Sequence, residues 1–331
     1  MPEAEVIISG TVHAFINKAS NFMKAIRIHS YGGPEVLKFE EAPLPVPAKD
    51  EVLVKVHAAG VNPIDWKIRA GKMKNNIPVR FPLIPGWDVS GEVEEVGSSV
   101  LNFKKGDEVY GKPDLAKDGS YAEYIVVKAK EVSTKPKSIG HDKSAGIPLA
   151  GQTAWEALFT HGKLEKDQRV LIHGAAGGVG TYAVQLAKWK GAYVIATASE
   201  QNVDFVYSLG ADEVIDYTTE DFASEVKEVD LVLDVVGGAT QSKSLNLLKR
   251  GGKLVTTVKP EFEELAKKQG VELISFMMTS SPSVLQHITD LVDSGKIKPI
   301  INKVFPLKEA AAAQKFNEKE HQRGKVILII R

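Results

Sequence analysis

The segment RVLIHGAAGGVGTYAVQLAK, residues 169–188, decides the fold of this chain. It reads as a buried strand, a glycine-rich turn and a helix with one apolar face. Ala175, Gly177 and Gly180 occupy the three glycine positions of the dinucleotide-binding fingerprint. These positions allow a tight turn, close approach of the backbone to a pyrophosphate, and close packing of helix on strand. The segment therefore predicts a strand–turn–helix unit that holds phosphates over the helix N-terminus.

The residues that follow continue the alternation of strand and helix. The helical segments are NVDFVYSLG and TQSKSLNLLKRGG. The strand segments that alternate with them are AYVIATAS, DEVIDY, VDLVLDVVG and KLVTTV. This order predicts a parallel, doubly wound sheet of the Rossmann type. The second strand ends at Ser199, where a site for NAD would carry an acidic residue. Ser199 therefore favours NADPH, but Glu200 follows it, so NADH stays open as the less favoured cofactor.

The part of the chain before residue 146 is rich in short strands separated by Gly, Pro and Asp. The strand segments are KAIRIH, EVLVKVHAAGV, VSGEVEEVG, DEVYG and AEYIVV. They predict a compact β-barrel-like unit. After residue 283 come a helix, an extended segment, a second helix and the last strand, KVILII. From the pattern alone, this tail fits either an extension of the parallel sheet or a return to the first unit.

Composition limits the classes of function. The chain has 331 residues, with 42 basic and 42 acidic side chains, which predicts about two globular domains and speaks against nucleic acid as a partner. The absence of cysteine excludes disulfides, thiolate nucleophiles and cysteine-ligated metals. No apolar run reaches the ~20 residues of a membrane span. Residues 1–22 read as an N-terminal extension without a signal-peptide pattern, so we expect a cytoplasmic protein.

Two other motifs are set aside. Tyr124 and Lys128 have the spacing of the catalytic pair of short-chain dehydrogenases, which lies on a helix. Here the intervening residues are Ile and Val and predict a strand, in which the two side chains would lie ~13 Å apart. The eight histidines show no HxH or HxxxH spacing, so they predict no metal site.

Eight blocks in one order resemble the zinc-free branch of the medium-chain dehydrogenase/reductase superfamily, the quinone oxidoreductase-like proteins. The resemblance covers residues 23–331, and within the family the chain looks most similar to the alkenal and quinone reductase subgroup. The eight blocks are SYGGPEVL, GVNPIDWKIRAG, FPLIPGWDVSGEVEEVG, GSYAEY, IPLAGQTAWEAL, HGAAGGVGTYAVQLAK, SLGADEVIDY and GKVIL. It implies an α/β protein with a GroES-like β-barrel domain, 23–146 with 285–331 returning to it, and a Rossmann domain, 147–284. Family members are often homo-oligomers, so we expect a dimer.

The resemblance also implies chemistry without a metal. In zinc-dependent relatives a Cys stands where this chain has Asn62, and a His–Glu pair where it has Trp87 and Asp88. Without a Lewis acid an alkoxide is not stabilised, whereas a quinone or an α,β-unsaturated carbonyl is already electrophilic. The expected activity is therefore zinc-independent, NADPH-dependent reduction of a small quinone or enone by hydride transfer.

Site residues are carried over from the family by position. They are Asn62 and Thr153 at the nicotinamide end, Gly177, Gly178 and Val179 at the pyrophosphate, Ser199 and Tyr217 at the adenosine half, and Lys325 near the C-terminus. Many NADPH-using relatives have a Lys where this chain has Asn202, which weakens the expectation of NADPH. For a proton donor, Lys67 and Asp65 are the candidates, and a local salt bridge between them is an equally good interpretation. Trp66 and Trp87 are expected to fill the core.

Two other functions stay open. One is an enoyl-thioester reductase, which needs a larger pocket with basic residues. The other is a nucleotide-binding protein with a structural or regulatory role and little turnover.

Overall fold

The computed structural model describes residues 21–319 and 323–331. Residues 1–20, which make up nearly all of the predicted extension, lie outside the described part. The first strand begins at Phe22 and forms a two-stranded antiparallel sheet, β1 (Phe22–Arg27) with β2 (Lys38–Pro43). Of the described residues, none belongs to a helix with both the length and the apolar character needed to cross a membrane.

The first half of the chain builds most of a seven-stranded, largely antiparallel sheet. Its strands in chain order are β3 (Glu51–Val61), β4 (Val89–Val96), β5 (Glu108–Gly111), β6 (Tyr124–Lys128) and β7 (Val132–Thr134). A valine-rich core lies beneath it, because Val52, Val54 and Val56 alternate inward along β3. The strand assigned to Tyr124–Lys128 confirms that these two residues are not a helical catalytic pair.

The second half contains a six-stranded sheet in which every pair is parallel. The strands are β8 (Arg169–Ile172), β9 (Tyr193–Ala198), β10 (Glu213–Asp216), β11 (Val229–Asp234), β12 (Leu248–Thr256) and β13 (Glu272–Ser275). Their spatial order is β10-β9-β8-β11-β12-β13, which is the doubly wound order that the sequence predicts. The order reverses between β8 and β11, so the carboxyl end of β8 faces the crevice where ligands bind in such sheets.

The end of the chain returns to the first sheet. β14 (Ile301–Pro306) pairs with β15 (Lys325–Ile329), and β15 pairs with β3 in antiparallel register, Val326 opposite Val61. This settles the ambiguity that the sequence pattern left for the strands of the tail. The preceding helix behaves differently, because its residues Leu285 and Ile288 pack in the core of the six-stranded sheet. The domain boundaries stay a proposal. We propose that the chain passes from the parallel sheet back to the first sheet after this helix.

The helices lie against both sheets. In chain order they are α1 (Pro63–Arg69), α2 (His141–Ser144), α3 (Pro148–Trp155), α4 (Gly178–Lys190), α5 (Val203–Ser208), α6 (Phe222–Glu225), α7 (Ala239–Leu245), α8 (Glu263–Gln269), α9 (Pro282–Asp293) and α10 (Ala310–Lys319). A π-helical stretch, Glu156–His161, follows α3 directly. α3 packs on α4 and α9 and also contacts β5, so it lies between the two sheets.

Candidate active site

The glycine-rich turn joins β8 to α4 at the carboxyl end of the parallel sheet. Gly174 has φ of 65°, a backbone conformation that side chains disfavour. A Cβ on Gly180 would lie 2.2 Å from the carbonyl oxygen of Gly174 and 2.6 Å from the Cα of Ala175. Helix and strand are therefore packed too closely there for any residue but glycine. A Cβ on Gly177 would meet only the Gly174 carbonyl oxygen, at 3.3 Å, so the protein itself leaves space above Gly177.

The N-terminus of α4 fits a pyrophosphate. Gly177, Gly178 and Val179 are half-buried, whereas Ala175 and Gly180 are fully covered. The first N–H groups of a helix have no intrahelical acceptor, and the helix dipole adds positive potential at the same end. The turn thus combines exposed donors, open space and a favourable field for an anionic group.

The expected adenosine end lies where β9 and β10 finish. The Asn202 amide donates to Ser199 Oγ at 3.0 Å, and the backbone N–H of Tyr217 donates to the carbonyl of Ala198 at 3.1 Å. Tyr217 is about half exposed, so its ring is free to contact a ligand. Ser199 and Tyr217 thus follow the ends of two neighbouring strands, and their contact with the adenosine half of a cofactor stays a prediction.

Arg323 is a residue at this end that the sequence analysis missed. Its Nε donates to Asn202 Oδ1 at 2.6 Å, another guanidinium nitrogen donates to the Gln201 carbonyl, and its head lies 5.4 Å from the Phe205 ring. A cation therefore stands beside Asn202, at the place where the expected Lys is missing. The sequence shows a basic residue shortly before the last strand, but no local pattern indicates that the chain passes close to the end of β9 there.

Asn62, Asp88 and Lys325 form a buried polar network facing the turn. The Asn62 side-chain N–H donates to Asp88 Oδ2 at 2.9 Å, and the Lys325 ammonium lies 3.1 Å from the same oxygen and donates to Asn62 Oδ1. Asp88 Oδ1 accepts from the backbone N–H of Leu149 at 2.7 Å. The stem of Lys325 lies against Gly178, where an added Cβ would be 3.1 Å from Lys325 Cδ. Lys325 therefore connects the glycine-rich turn to Asn62.

Asp65 lies next to this network and is fully buried. Its Oδ2 accepts from the Asn62 backbone N–H at 2.8 Å and from the Tyr121 hydroxyl at 2.8 Å, whereas its Oδ1 has no hydrogen-bond partner within the described part of the chain. Burial raises the pKa of Asp65 to about 7, against the opposing effect of these two hydrogen bonds. Because Tyr121 and Asn62 are both held by it, Asp65 fixes the orientation of the groups around it.

Lys67 is not brought to Asp65. α1 begins after Asn62, with Pro63 at its first position, and residues two apart on a helix point in different directions. The Lys67 ammonium lies 5.7 Å from the Trp66 ring centroid, and burial together with Lys72 lowers its pKa. Among the described residues no ion pair or hydrogen bond joins Lys67 to Asp65, so the local salt bridge considered from the sequence is not formed.

Thr153 and Trp87 complete the predicted set. Thr153 is buried on α3 and its hydroxyl donates to the Leu149 carbonyl at 2.6 Å, one turn before it. Trp87 is fully buried in the core of the first half, which confirms its expected packing role. Its indole N–H donates to the Asp114 carbonyl at 3.1 Å.

Across residues 21–319 and 323–331, no three His, Cys, Asp or Glu side chains converge as a metal site would require.

Comparisons with known proteins match both halves of the chain. A family model described as "Alcohol dehydrogenase GroES-like domain" matches residues 48–137, and one described as "Zinc-binding dehydrogenase" matches residues 209–328. The first match, together with the parallel sheet, confirms the predicted combination of a GroES-like and a Rossmann domain.

Proteins similar along nearly the whole chain include enzymes from several organisms. A mouse protein named "NAD(P)H oxidoreductase RTN4IP1, mitochondrial" is 40% identical, and the match covers 93% of this chain and 89% of that protein. The Arabidopsis thaliana "NADPH-dependent alkenal/one oxidoreductase, chloroplastic" is 38% identical over 98% of this chain and 83% of that protein. The solved structure of the quinone oxidoreductase from Coxiella burnetii superimposes with a TM-score of 0.86 at 37% identity, covering 94% of this chain and all of the other. By its two domains, its sheet order and these relatives, the chain belongs to the medium-chain dehydrogenase/reductase superfamily, in the group that contains quinone oxidoreductases and alkenal reductases.

Proposed function

We propose that the protein is a zinc-independent oxidoreductase that uses NADPH to reduce quinones or α,β-unsaturated carbonyls. NADPH supplies a hydride, and the protein binds and orients both partners in the crevice between the two sheets. The Arabidopsis relative's name, which includes NADPH and alkenals, and the quinone oxidoreductase structure support this reading.

The position of Lys325 carries the proposal. Its ammonium, 3.1 Å from Asp88 and bonded to Asn62, occupies the region that the resemblance assigns to the catalytic zinc ligands. One carboxylate, Asp88, is present, but a fixed cation and an amide stand beside it in place of the thiolate and imidazole donors that would complete a zinc site. This donor set does not fit a zinc ion, so we infer that the acceptor must be electrophilic by itself.

The residues around the turn define the proposed cofactor site. We assign the pyrophosphate to Gly177, Gly178 and Val179, with Ala175 and Gly180 shaping the turn. We assign the nicotinamide end to Asn62, Thr153 and Lys325, and the adenosine half to Ser199 and Tyr217. Arg323 supports NADPH over NADH, because a guanidinium matches a 2′-phosphate in charge and geometry.

Asp65 is proposed as a positioning residue that acts through Asn62 and Tyr121. Lys67 remains a candidate proton donor from the family resemblance alone. A dimer and a cytoplasmic location also remain predictions, and light scattering and imaging of a fluorescent fusion test them. The mouse and Arabidopsis relatives carry mitochondrial and chloroplastic names.

A substrate panel tests the proposed function. NADPH oxidation is followed at 340 nm with simple quinones, short enals and enones, a primary alcohol with NADP⁺, and an enoyl thioester. We expect turnover with quinones or enones, none with the alcohol, and no change after dialysis against EDTA. Activity that EDTA removes and zinc restores would contradict the zinc-independent mechanism. Tight NADPH binding without turnover on any compound would favour a structural or regulatory role, and preference for the thioester would favour the enoyl-thioester reductase.

A further inference from the structure

Lys112 is a buried lysine without a bonded counter-ion. Its residue is 8% exposed, and among the described residues its ammonium makes no hydrogen bond and no ion pair within 4.0 Å. The side chain is mostly covered, but its Nζ is not one of the fully covered nitrogens of the described residues, so the ammonium can still be reached by a ligand. A lysine in this position is therefore a candidate to bind a ligand that carries a hydrogen-bond acceptor.

The sheet register places Lys112 at the crevice. Gly111, the last residue of β5, pairs with Val89 on β4 and with Val132 on β7. The next residue, Lys112, therefore lies between Asp88 and Glu131, and its backbone N–H donates to the Glu131 carbonyl at 3.3 Å. Asp88 is the carboxylate that binds Asn62 and Lys325, so Lys112 and the nicotinamide-end network are adjacent.

Lys112 also faces the parallel sheet. Alternate residues of a strand share a face, and Tyr110, two residues earlier, donates its hydroxyl to the Leu285 carbonyl on α9 at 2.7 Å. The loop after β13 closes the same region, where the backbone N–H of Thr279 donates to Glu156 at 3.2 Å and the Ser280 hydroxyl donates to the Glu131 carbonyl at 3.3 Å. That loop leaves the carboxyl end of a parallel strand, the edge at which such sheets bind ligands.

We propose that Lys112 is a catalytic residue that hydrogen bonds the carbonyl oxygen of the acceptor and gives it a proton during hydride transfer. The inference rests on the proposed function and names the group that receives the substrate oxygen. The enone accepts a hydride at its β-carbon, and the C=C electron pair shifts to make the carbonyl oxygen an alkoxide-like enolate. An N–H bond of Lys112 breaks as the new O–H bond forms. The enol then becomes the ketone: a solvent proton forms a C–H bond at the α-carbon while the enol O–H bond breaks and releases its proton to solvent, and a proton from solvent restores the Lys112 ammonium.

The surrounding charges are compatible with this role. Burial lowers the pKa of Lys112, while Glu131, Asp114, Asp88 and Glu156 oppose that effect. Burial raises the pKa of both Glu131 and Glu156. A general acid must be protonated to act, so the rate should fall as pH rises through the lowered pKa of Lys112.

The test compares Lys112→Met and Lys112→Arg with the wild type and with Lys130→Met, a control at an exposed lysine on the neighbouring turn. For each protein we measure kcat/KM with 3-buten-2-one and a benzoquinone from pH 6 to 10, NADPH affinity by fluorescence titration, and thermal unfolding. For Lys112→Met we expect a fall in kcat/KM of about 10²-fold or more with NADPH affinity unchanged, and no decline at high pH. Lys112→Arg should recover substrate KM but not kcat, and Lys130→Met should match the wild type.

A kcat/KM for Lys112→Met within twofold of the wild type on every acceptor that the wild type reduces would overturn the proposal. If Lys112→Met does not fold, the Arg variant decides, because a wild-type decline at high pH in that variant also overturns it. An inactive wild type on the whole panel is a separate outcome, which removes the proposed function and the role of Lys112 with it.

Discussion

Asp65 is a fully buried carboxyl whose pKa burial raises to about 7 from 3.8. The folded protein therefore binds this proton more tightly than the unfolded chain, and the contribution of Asp65 to stability falls as pH rises from about 4 to 7. Asp65→Asn keeps an oxygen acceptor for Tyr121 and Asn62 but does not ionise. We expect the variant to gain stability relative to the wild type as pH rises, by up to ~1.4 kcal/mol per pH unit in that window. Urea unfolding at pH 5 and pH 8 measures it, and an identical difference at both pH values would contradict the raised pKa.

Arg323 gives the sharpest test of cofactor choice. In Arg323→Gln the side chain keeps an amide that can reach Asn202 but loses the charge that faces a 2′-phosphate. Charge-assisted bonds contribute about 1.5–3 kcal/mol, so we expect NADPH affinity to fall roughly 10- to 100-fold. NADH lacks the phosphate and serves as the internal control, since its affinity should not change. Equal losses for both cofactors would show that Arg323 acts only on the fold.

At the scale of elements, the turn between β8 and α4 predicts opposite results for two glycines. A side chain at Gly180 would collide with the backbone of Gly174 and Ala175 at 2.2–2.6 Å, so Gly180→Val should destabilise the fold. Gly177 has ordinary extended dihedral angles, φ −76° and ψ 179°, and only one close neighbour, so Gly177→Val should fold. It should nevertheless lose NADPH binding, because the added side chain fills the space over the helix N-terminus. Circular dichroism melts and NADPH titrations separate the two effects, and unchanged NADPH affinity in Gly177→Val would refute the pyrophosphate assignment.

Local pattern also explains which elements the sequence could predict. The apolar runs of β8, β9 and β11 and the glycine-rich turn specify their structure within a few residues, so the alternation that predicts a parallel, doubly wound sheet can be recognised from them. The strand and helix periodicities do not predict α1, although Asn62, Pro63 and Asp65 stand at the N-cap, first and third positions of a helix start and suit them chemically. That pattern, correctly used, indicates that Asp65 turns back to the Asn62 N–H and away from Lys67.

At the scale of the whole molecule, three consecutive residues connect the two sheets. Arg323 bonds Asn202 after β9, the N–H of Gly324 donates to the Ala176 carbonyl in the glycine-rich turn at 2.8 Å, and the stem of Lys325 lies against Gly178 while its ammonium pairs with Asp88, directly before β4 of its own sheet. The sequence could not predict this because Lys325 and Asp88 are 237 positions apart and no local pattern couples them. The relation of Lys112 to the crevice could not be predicted either, because it depends on strand register.

The Lys325–Asp88 pair should therefore contribute to the free energy of unfolding as well as shape the site. Both side chains are buried, so Lys325→Met leaves a carboxylate with only the Asn62 amide and the Leu149 N–H as partners. Breaking a buried ion pair on one side costs about 3–5 kcal/mol, whereas replacing both partners by neutral groups costs much less. We expect Lys325→Met to lower the free energy of unfolding by that amount, and Lys325→Met/Asp88→Asn to recover most of it. Urea unfolding followed by tryptophan fluorescence and circular dichroism completes the double-mutant cycle. Additive losses below ~1 kcal/mol each would mean that the charge pair is not what stabilises this part of the fold.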